Sequence, residues 1–287
     1  SILLSRMLTR KISTLLTAIR KVRAGAYEHR THISGRDEIA QIGEEFNSLT
    51  DRLQTTETLR RRFVSDASHE LKTPLAAIRL LTDSILQTDQ MDMETVRDFV
   101  TDIGSEAERL SRITEDLLRL TRLDSDLLDA PETVEVAPVL EQVMRMMSLL
   151  AQEKGTELTY RMEGNCRVSA TKGEVHQVIY NLTDNAVKYS GKNGKVRVEL
   201  RHEDHDVVLT VADNGPGIPE EDLPKVFERF YRVDKARSRA AGGTGLGLSI
   251  VQDTVKKRGG TVSAANRAGG GAVFTVRWPE AEGGDRS

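Results

Sequence analysis

Cysteine is almost absent from this sequence: Cys166 stands alone among 287 residues. One cysteine cannot build a disulfide framework or a thiolate metal site within a single chain, and a reducing compartment is the natural reading. Aromatic residues are nearly as scarce, at 4%, with one tryptophan. Set against 30% charged residues, that mixture suits charged-faced helices better than an all-β core. Positive charge is not in excess either. The formal net charge is -3, which gives no electrostatic support for non-specific or direct binding of nucleic acid. A long apolar run is also missing. The opening "SILLSRMLTRKI" is broken by basic residues almost as soon as it starts. Lys/Arg clusters mark the cytoplasmic flank of a membrane span. The expectation is therefore a cut just inside the membrane, with the parent anchored in the cell membrane and this part cytoplasmic. The blander alternative is an excised soluble piece.

What is present is helical periodicity. Leu8, Ile12, Leu15, Ile19 and Val22 step by four, three, four and three. Ile39, Ile42, Phe46, Leu49 and Leu53 step by three, four, three and four. These are two short heptad seams. The stretch between them, "AGAYEHRTHISGRDE", has two glycines and no apolar stripe. Residues 1–54 read as helix, extended connector, helix, and dimerisation into a four-helix bundle would bury both seams. Residues 55–127 read as a second helical hairpin that also favours a homodimer. Its first stripe is Phe63, Ala67, Leu71, Leu75 and Ile78; its second is Val96, Phe99, Ile103, Leu110, Ile113, Leu117 and Leu120. Glu106 is the one polar residue that the second spacing meets.

After "LDSDLLDAPE" the texture changes to short alternating strands, among them "KVRVEL", "DVVLTVAD" and "GAVFTVRW". Helices separate several of them, over 137–154, 172–189 and 246–258. Residues 128–280 therefore read as an α/β layer domain with a mixed or antiparallel sheet. Residues 281–287 read as a loose tail.

Three stretches of this domain carry chemistry. In "HQVIYNLTDNAVKYS", Asn181, Asn185 and Lys188 share one helix face. Mid-helix asparagines are locally unfavourable. Ordinary surface polarity explains them, and so does an amide oxygen for Mg2+ with an ammonium for phosphate. In "VADNGPGIP", Asp213 ends a strand, and Gly215 and Gly217 turn the chain. That is a common turn, or a carboxylate placed to accept from an adenine amino group. In "AGGTGLGLSIVQDTV", Gly242, Gly243, Gly245 and Gly247 lead into an amphipathic helix, where main-chain N–H groups can approach phosphates. The spacing is neither a Walker A loop nor G-x-G-x-x-G. Just before it, Arg229, Arg232, Lys235, Arg237 and Arg239 make a basic stretch that fits a mobile lid over a triphosphate better than a plain solvated loop.

The order of the motifs decides among these readings. "SHELKTPL", "NLTDNAVKY", "DNGPGIP", "FERFY" and "GTGLGLSI" resemble, in that order, the H box, N box, first G box, F box and second G box of bacterial two-component sensor histidine kinases. The resemblance covers about residues 60–278. Residues 1–54 resemble a HAMP linker, chiefly in "DEIAQIGEEFNSL", although the usual early proline is absent and Ala40 stands where glycine is common. The fold this implies is multidomain: a helical HAMP unit, a dimeric four-helix-bundle phosphoacceptor domain, and an α/β sandwich ATP-binding domain like that of gyrase-type and Hsp90-type ATPases. The resemblance implies His69 as phosphoacceptor and Asn185 as the Mg2+ ligand, with Asn181 and Lys188 near the phosphates. Tyr189 would pack on the nucleotide and Asp213 would bind adenine. Gly215, Gly217, Gly243, Gly245, Leu246 and Gly247 would shape the pocket, and Arg229 or Arg232 would touch the γ-phosphate. ATP, Mg2+ and a cognate response regulator follow as cofactors and partner.

Around His69 the helical geometry adds its own argument. Ala67, Leu71 and Leu75 set the expected inner face, and His69 lies about 200° round from it, toward solvent. An imidazole in water is mostly neutral near pH 7 and keeps a nucleophilic lone pair. Glu70 can take the other ring N–H, and Thr73 sits one turn on. Glu70 and Thr73 match the E-x-x-T pattern tied in this family to dephosphorylating the partner. Pro74 lacks the N–H for its own helix bond and permits a bend. The competing readings are an ATPase or serine kinase of the same superfamily, in which His69 is incidental, and a non-catalytic dimeric adaptor.

Overall fold

The computed structural model describes residues 2–88, 91–123, 130–191, 193–234 and 243–281. The chain forms two compact units, residues 1–69 and 70–287. Most of the tail expected over 281–287 lies outside the described residues. Among the described residues, no helix is long and apolar enough to cross a membrane.

In the first unit, helix α1 (Ile2–Arg23) is followed by an irregular connector and then by helix α2 (Glu38–Gln87), which continues into the second unit. Asp37 caps α2: its carboxylate accepts from Lys11 Nζ at 2.6 Å and from the Ala40 N–H at 3.1 Å, and these bonds, the Lys11 one foremost, hold it below the usual carboxylate range. The connector is pinned by Asn47, whose amide exchanges two 2.9 Å bonds with the Thr31 main chain. Ala18, Val22, Ala40, Gly43 and Thr50 are buried within the chain, whereas Leu8, Ile12, Ile19, Ile42, Leu49 and Leu53 of the two seams stay exposed.

No break separates the helical segments on either side of residues 54 and 55: α2 is one helix of 50 residues with Pro74 inside it. Helix α3 (Met93–Leu123) is capped by Asp92, which accepts from the Glu94 and Thr95 N–H groups. The expected α3 stripe faces inward, with Ile113 and Leu120 fully buried. The expected α2 stripe needs a correction at Leu75, which is 59% exposed, while Pro74 is buried. The inner face runs through Ala67, Leu71, Pro74 and Ile78. A step of three in place of four keeps that face on one side of a 3.6-residue helix.

The rest of the second unit is an α/β layer. Strands β1 (Glu132–Glu135) and β3 (Arg167–Ala170) pair antiparallel. A five-stranded mixed sheet has the order β2-β4-β5-β7-β6, formed by β2 (Glu157–Met162), β4 (Lys195–Glu203), β5 (Asp206–Asp213), β6 (Thr261–Asn266) and β7 (Ala272–Pro279). Only the β2–β4 pair is parallel. Helices α4 (Val136–Glu153), α5 (Lys172–Tyr189) and α6 (Gly247–Lys257) complete the layer. On β4, Val196, Val198 and Leu200 are buried while Arg197 is exposed, as alternation requires. They share a core with Leu140, Ile179 and Leu182 of the helices and with Trp278. A capping box starts α5: Thr171 Oγ1 accepts from the Glu174 N–H, and the Glu174 carboxylate accepts from the Thr171 N–H.

Candidate functional site: a nucleotide-sized cleft and an exposed histidine

A cleft of about 710 Å³ lies beside α5, the loop after β5 and the glycine turn into α6, with helix α3 on a further side. Its walls include Asn181, Asn185, Lys188, Tyr189, Asp213, Gly217, Arg232, Gly243, Gly245 and Gly247. These residues are scattered over more than 60 positions of sequence, and the strand order brings them together.

Asp213 ends the central strand β5 and is only 4% exposed. Its Oδ1 accepts from the Gly215 N–H at 2.8 Å and from the Ala272 N–H at 3.2 Å. Burial pushes this carboxyl above its ordinary range, and the two N–H groups counteract it only in part. Both donors meet Oδ1, which leaves Oδ2 without a protein partner among the described residues. The turn behind Asp213 tolerates no side chain. A Cβ on Gly215 would lie 2.3 Å from the Tyr189 carbonyl oxygen, and one on Gly271 would lie 2.0 Å from the Asp213 carbonyl oxygen.

Helix α5 uses its polar face in three ways. Asn181 is structural as well as part of the wall: it donates to the Gly247 carbonyl at 3.0 Å and accepts from Gln177 at 2.7 Å. It thereby ties α5 to the start of α6. Lys188 is held by Asp184 at 2.5 Å. Asn185 is half-buried, and its amide makes no hydrogen bond among the described residues. An amide oxygen so placed suits Mg2+, which takes few protein ligands and keeps waters and phosphate oxygens.

The two arginines of the "FERFYR" stretch part company. Arg229 is engaged by Asp253 at 3.0 Å and is not in the wall of the cleft. Arg232 is in the wall, 5% exposed, and donates to the Gly243 carbonyl at 2.6 Å and to Glu70 Oε2 at 3.2 Å. Phe230 adopts φ +63, and its N–H reaches the Gly245 carbonyl at 2.8 Å. Gly245, at φ +73, has no room for a Cβ against that backbone. Neither Gly215 nor Leu246 is in the cleft wall. Leu246, which the resemblance placed among the pocket-shaping residues, is fully buried, while its neighbours Gly245 and Gly247 line the cleft. Lys235, Arg237, Arg239 and Gly242 lie outside the described residues.

His69 is exposed on α2, as is Thr73 one turn on. Glu70 is turned toward α3, where Arg109 Nη2 meets its Oε2 at 3.0 Å. Sequence reasoning missed Arg109, Asp184, Asp116 and Thr244. Asp184 had a signal, being four residues before Lys188. Asp116 accepts from the Thr244 hydroxyl at 2.8 Å, and burial pushes its carboxyl up. A partner 128 residues away leaves no sequence trace.

Three family models match the chain in order. The HAMP domain matches residues 3–55, the His Kinase A (phospho-acceptor) domain 59–126, and the histidine kinase-, DNA gyrase B- and HSP90-like ATPase 170–282. The signal transduction histidine-protein kinase BaeS of Escherichia coli K12 is 31% identical over 96% of this chain and 59% of its own length. The chain spans between 54% and 61% of the curated relatives it matches. Among solved structures, full-length ShkA in complex with AMPPNP is 29% identical with a TM-score of 0.56, over 78% of this chain and 46% of that one. The histidine kinase ThkA in complex with response regulator TrrA has a TM-score of 0.65 at 22% identity, over 87% of this chain and 69% of that one; it speaks for the fold alone. With the three domains in this order, and curated relatives named as histidine kinases along almost its whole length, the chain belongs to the bacterial two-component sensor histidine kinases.

Proposed function

We propose that the protein transfers the γ-phosphoryl group of ATP to His69 and then to an aspartate of a response regulator. One observation carries the reading. Asn185, Lys188, Asp213 and the glycines 217, 243, 245 and 247 converge on a single cleft, in a chain whose H-box histidine is exposed. Asp213 Oδ2 accepts from the adenine amino group. The N–H groups at the start of α6 and the Lys188 ammonium face the phosphates. Arg232, which lines the cleft, is the γ-phosphate arginine rather than Arg229. Asn185 holds Mg2+, which when bound offsets negative charge on the phosphates.

In the transfer step the lone pair of a His69 ring nitrogen attacks the γ-phosphorus. The bond from phosphorus to the bridging oxygen breaks, ADP leaves with that electron pair, and the other ring N–H gives its proton to Glu70. The regulator's aspartate then attacks the phosphorus of the phosphoramidate, the P–N bond breaks with its electron pair left on the ring nitrogen, and a proton returns to the imidazole. The match of residues 59–126 to the His Kinase A (phospho-acceptor) domain supports such a relay. Thr73, exposed one turn from His69, holds the water that later hydrolyses the regulator's aspartyl phosphate. The protein acts as a homodimer within a membrane-anchored parent.

The test is labelling with γ-labelled ATP and Mg2+. The wild-type protein should acquire acid-labile label, and His69→Gln should acquire none. Label of equal intensity on His69→Gln, or acid-stable label on the wild type, would point to another acceptor and to the serine-kinase alternative.

A further inference from the structure

Arg109 is a guanidinium where a helix hairpin has little reason to keep one. Its side chain is 6% exposed, in the α2–α3 interface, next to a stripe of isoleucine and leucine. Buried charges are retained only where they are paired, and apolar residues of similar size often serve stability as well. Arg109 is paired twice. Nη2 meets Glu70 Oε2 at 3.0 Å, across the hairpin. Nη1 lies 3.5 Å from Glu106 Oε2, one turn back on α3. Glu106 is the single polar residue that the heptad spacing of α3 meets, and Arg109 explains why a carboxylate is there. Glu70 also meets Arg232 on the same Oε2, at 3.2 Å. The two guanidiniums differ in origin. Arg232 comes from the ATP-binding layer and also serves the Gly243 carbonyl. Arg109 belongs to the same hairpin as Glu70 and is anchored by Glu106, so it stays with Glu70 wherever Arg232 is.

We propose that Arg109 is a positioning residue for phosphoryl transfer. Anchored by Glu106, it holds Glu70 Oε2 and so sets the orientation from which Glu70, the residue after His69, takes the ring proton. The proposal rests on the reading above that Glu70 is that acceptor. A guanidinium suits the task because its donors are fixed in one plane and its charge does not titrate. A carboxylate on two free side-chain torsions sweeps many orientations, and fixing one of them lowers the entropy lost at the transition state. The charge of Arg109 itself does not move in the step: the proton passes from imidazole to carboxylate, and the phosphoryl group from ATP to nitrogen with release of ADP.

The experiment is single-turnover autophosphorylation of the whole chain with Mg-ATP, using Arg109→Met, Arg109→Lys, Glu70→Gln and the Glu70→Gln/Arg109→Met double variant. Arg109→Met should lower the maximal rate about ten-fold or more while KM for ATP stays within about two-fold, because Arg109 does not line the cleft. Arg109→Lys keeps the charge but not the fork and should recover part of the rate. The double variant should be no slower than Glu70→Gln alone, since the arginine acts only through that carboxylate. Additive losses would mark Arg109 as merely structural and overturn the inference. So would a wild-type rate in Arg109→Met. If Arg109→Met does not fold, Arg109→Lys decides: an intermediate rate with unchanged KM supports the inference, and a wild-type rate overturns it. Full activity of Glu70→Gln would instead overturn the proton-acceptor reading itself, whatever Arg109 does.

Discussion

Asp213 carries a conflict between burial and charge. Its carboxylate sits at 4% exposure against two main-chain N–H groups, and its pKa is raised above 3.8 chiefly by burial. The sign follows directly. A group whose folded pKa lies above its unfolded value favours the folded state below about 3.8, and that advantage is lost as pH rises through the folded value. At neutral pH the ionised carboxylate therefore costs stability, and a site that keeps it must gain function from it. Asp213→Asn keeps an oxygen for Gly215 and Ala272 but loses the charge toward a nucleotide. A hydrogen bond to a charged group contributes about 1.5–3 kcal/mol, so ATP affinity should fall about 10- to 100-fold. The melting temperature should hold or rise. Titration calorimetry from about pH 5 to about pH 8 should show wild-type affinity weakening toward acid earlier than an ordinary carboxylate would allow, and the variant staying flat. The same acid dependence in wild type and variant, down to the pH at which the fold is lost, would mean that the charge plays no part in binding. Asp213 was legible because a strand ending in Asp before two glycines is a local pattern. Gly271 and Ala272, which complete its surroundings, come 58 and 59 residues later and were not. Only the pairing of β5 with β7 brings them there.

At the scale of elements, α5 shows how local rules and tertiary demands coincide. Its boundaries were legible from the 3.6-residue pattern, and the structure places it at Lys172–Tyr189 as the sequence predicts. Its capping box was not read, and the box has a second duty. Glu174 accepts from Arg258 Nε and Nη2, both at 2.9 Å, which joins the start of α5 to the end of α6. Since Asn181 already joins α5 to the start of α6, the two helices are tied at both ends of α6, and the glycine turn between β5 and α6 is held in place by them. Thr171→Ala should lose a cap bond, about 1 kcal/mol. Glu174→Gln should lose charge-assisted bonds to an almost buried arginine and cost more, about 1.5–3 kcal/mol. The lone Trp278 is fully buried in β7, so its fluorescence during urea unfolding of the whole chain reports this layer. Wild-type stability in Glu174→Gln would show that the Arg258 contact adds nothing. Helix α2 was legible only in pieces. Its stripes over 39–53 and 63–78 were read as belonging to two separate helices, whereas the backbone needs no break between them. Leu75 was misplaced because a strict four-residue step drifts off the face that Pro74 occupies.

For the molecule as a whole, the seams of residues 1–54 pose the remaining physical problem. Ile12, Ile19, Ile42, Leu49 and Leu53 recur at heptad spacing, yet within one chain they are exposed, Ile42 at 53%. The buried residues of this unit are mostly small ones, Ala18, Ala40, Gly43 and Thr50, with Val22 the one buried member of the seams, so most of the large side chains remain on the outside. Exposed aliphatic side chains singly are ordinary; a continuous stripe along two helices is not. A second copy of the chain is the occupant that a heptad stripe fits, because two such hairpins close a four-helix bundle. Ile42→Glu separates this from a monomeric spacer. In the single chain the substituted side chain would sit in water, so folding stability should change by less than about 0.5 kcal/mol. In a dimer two carboxylates would enter the apolar seam, and each must be desolvated or protonated. The dissociation constant measured by sedimentation equilibrium should rise by about 100-fold or more, and circular dichroism under conditions where both forms are monomeric should be unchanged. A dimer as tight as the wild type would leave the stripe facing something other than its own copy, and self-association would then rest on the second hairpin alone.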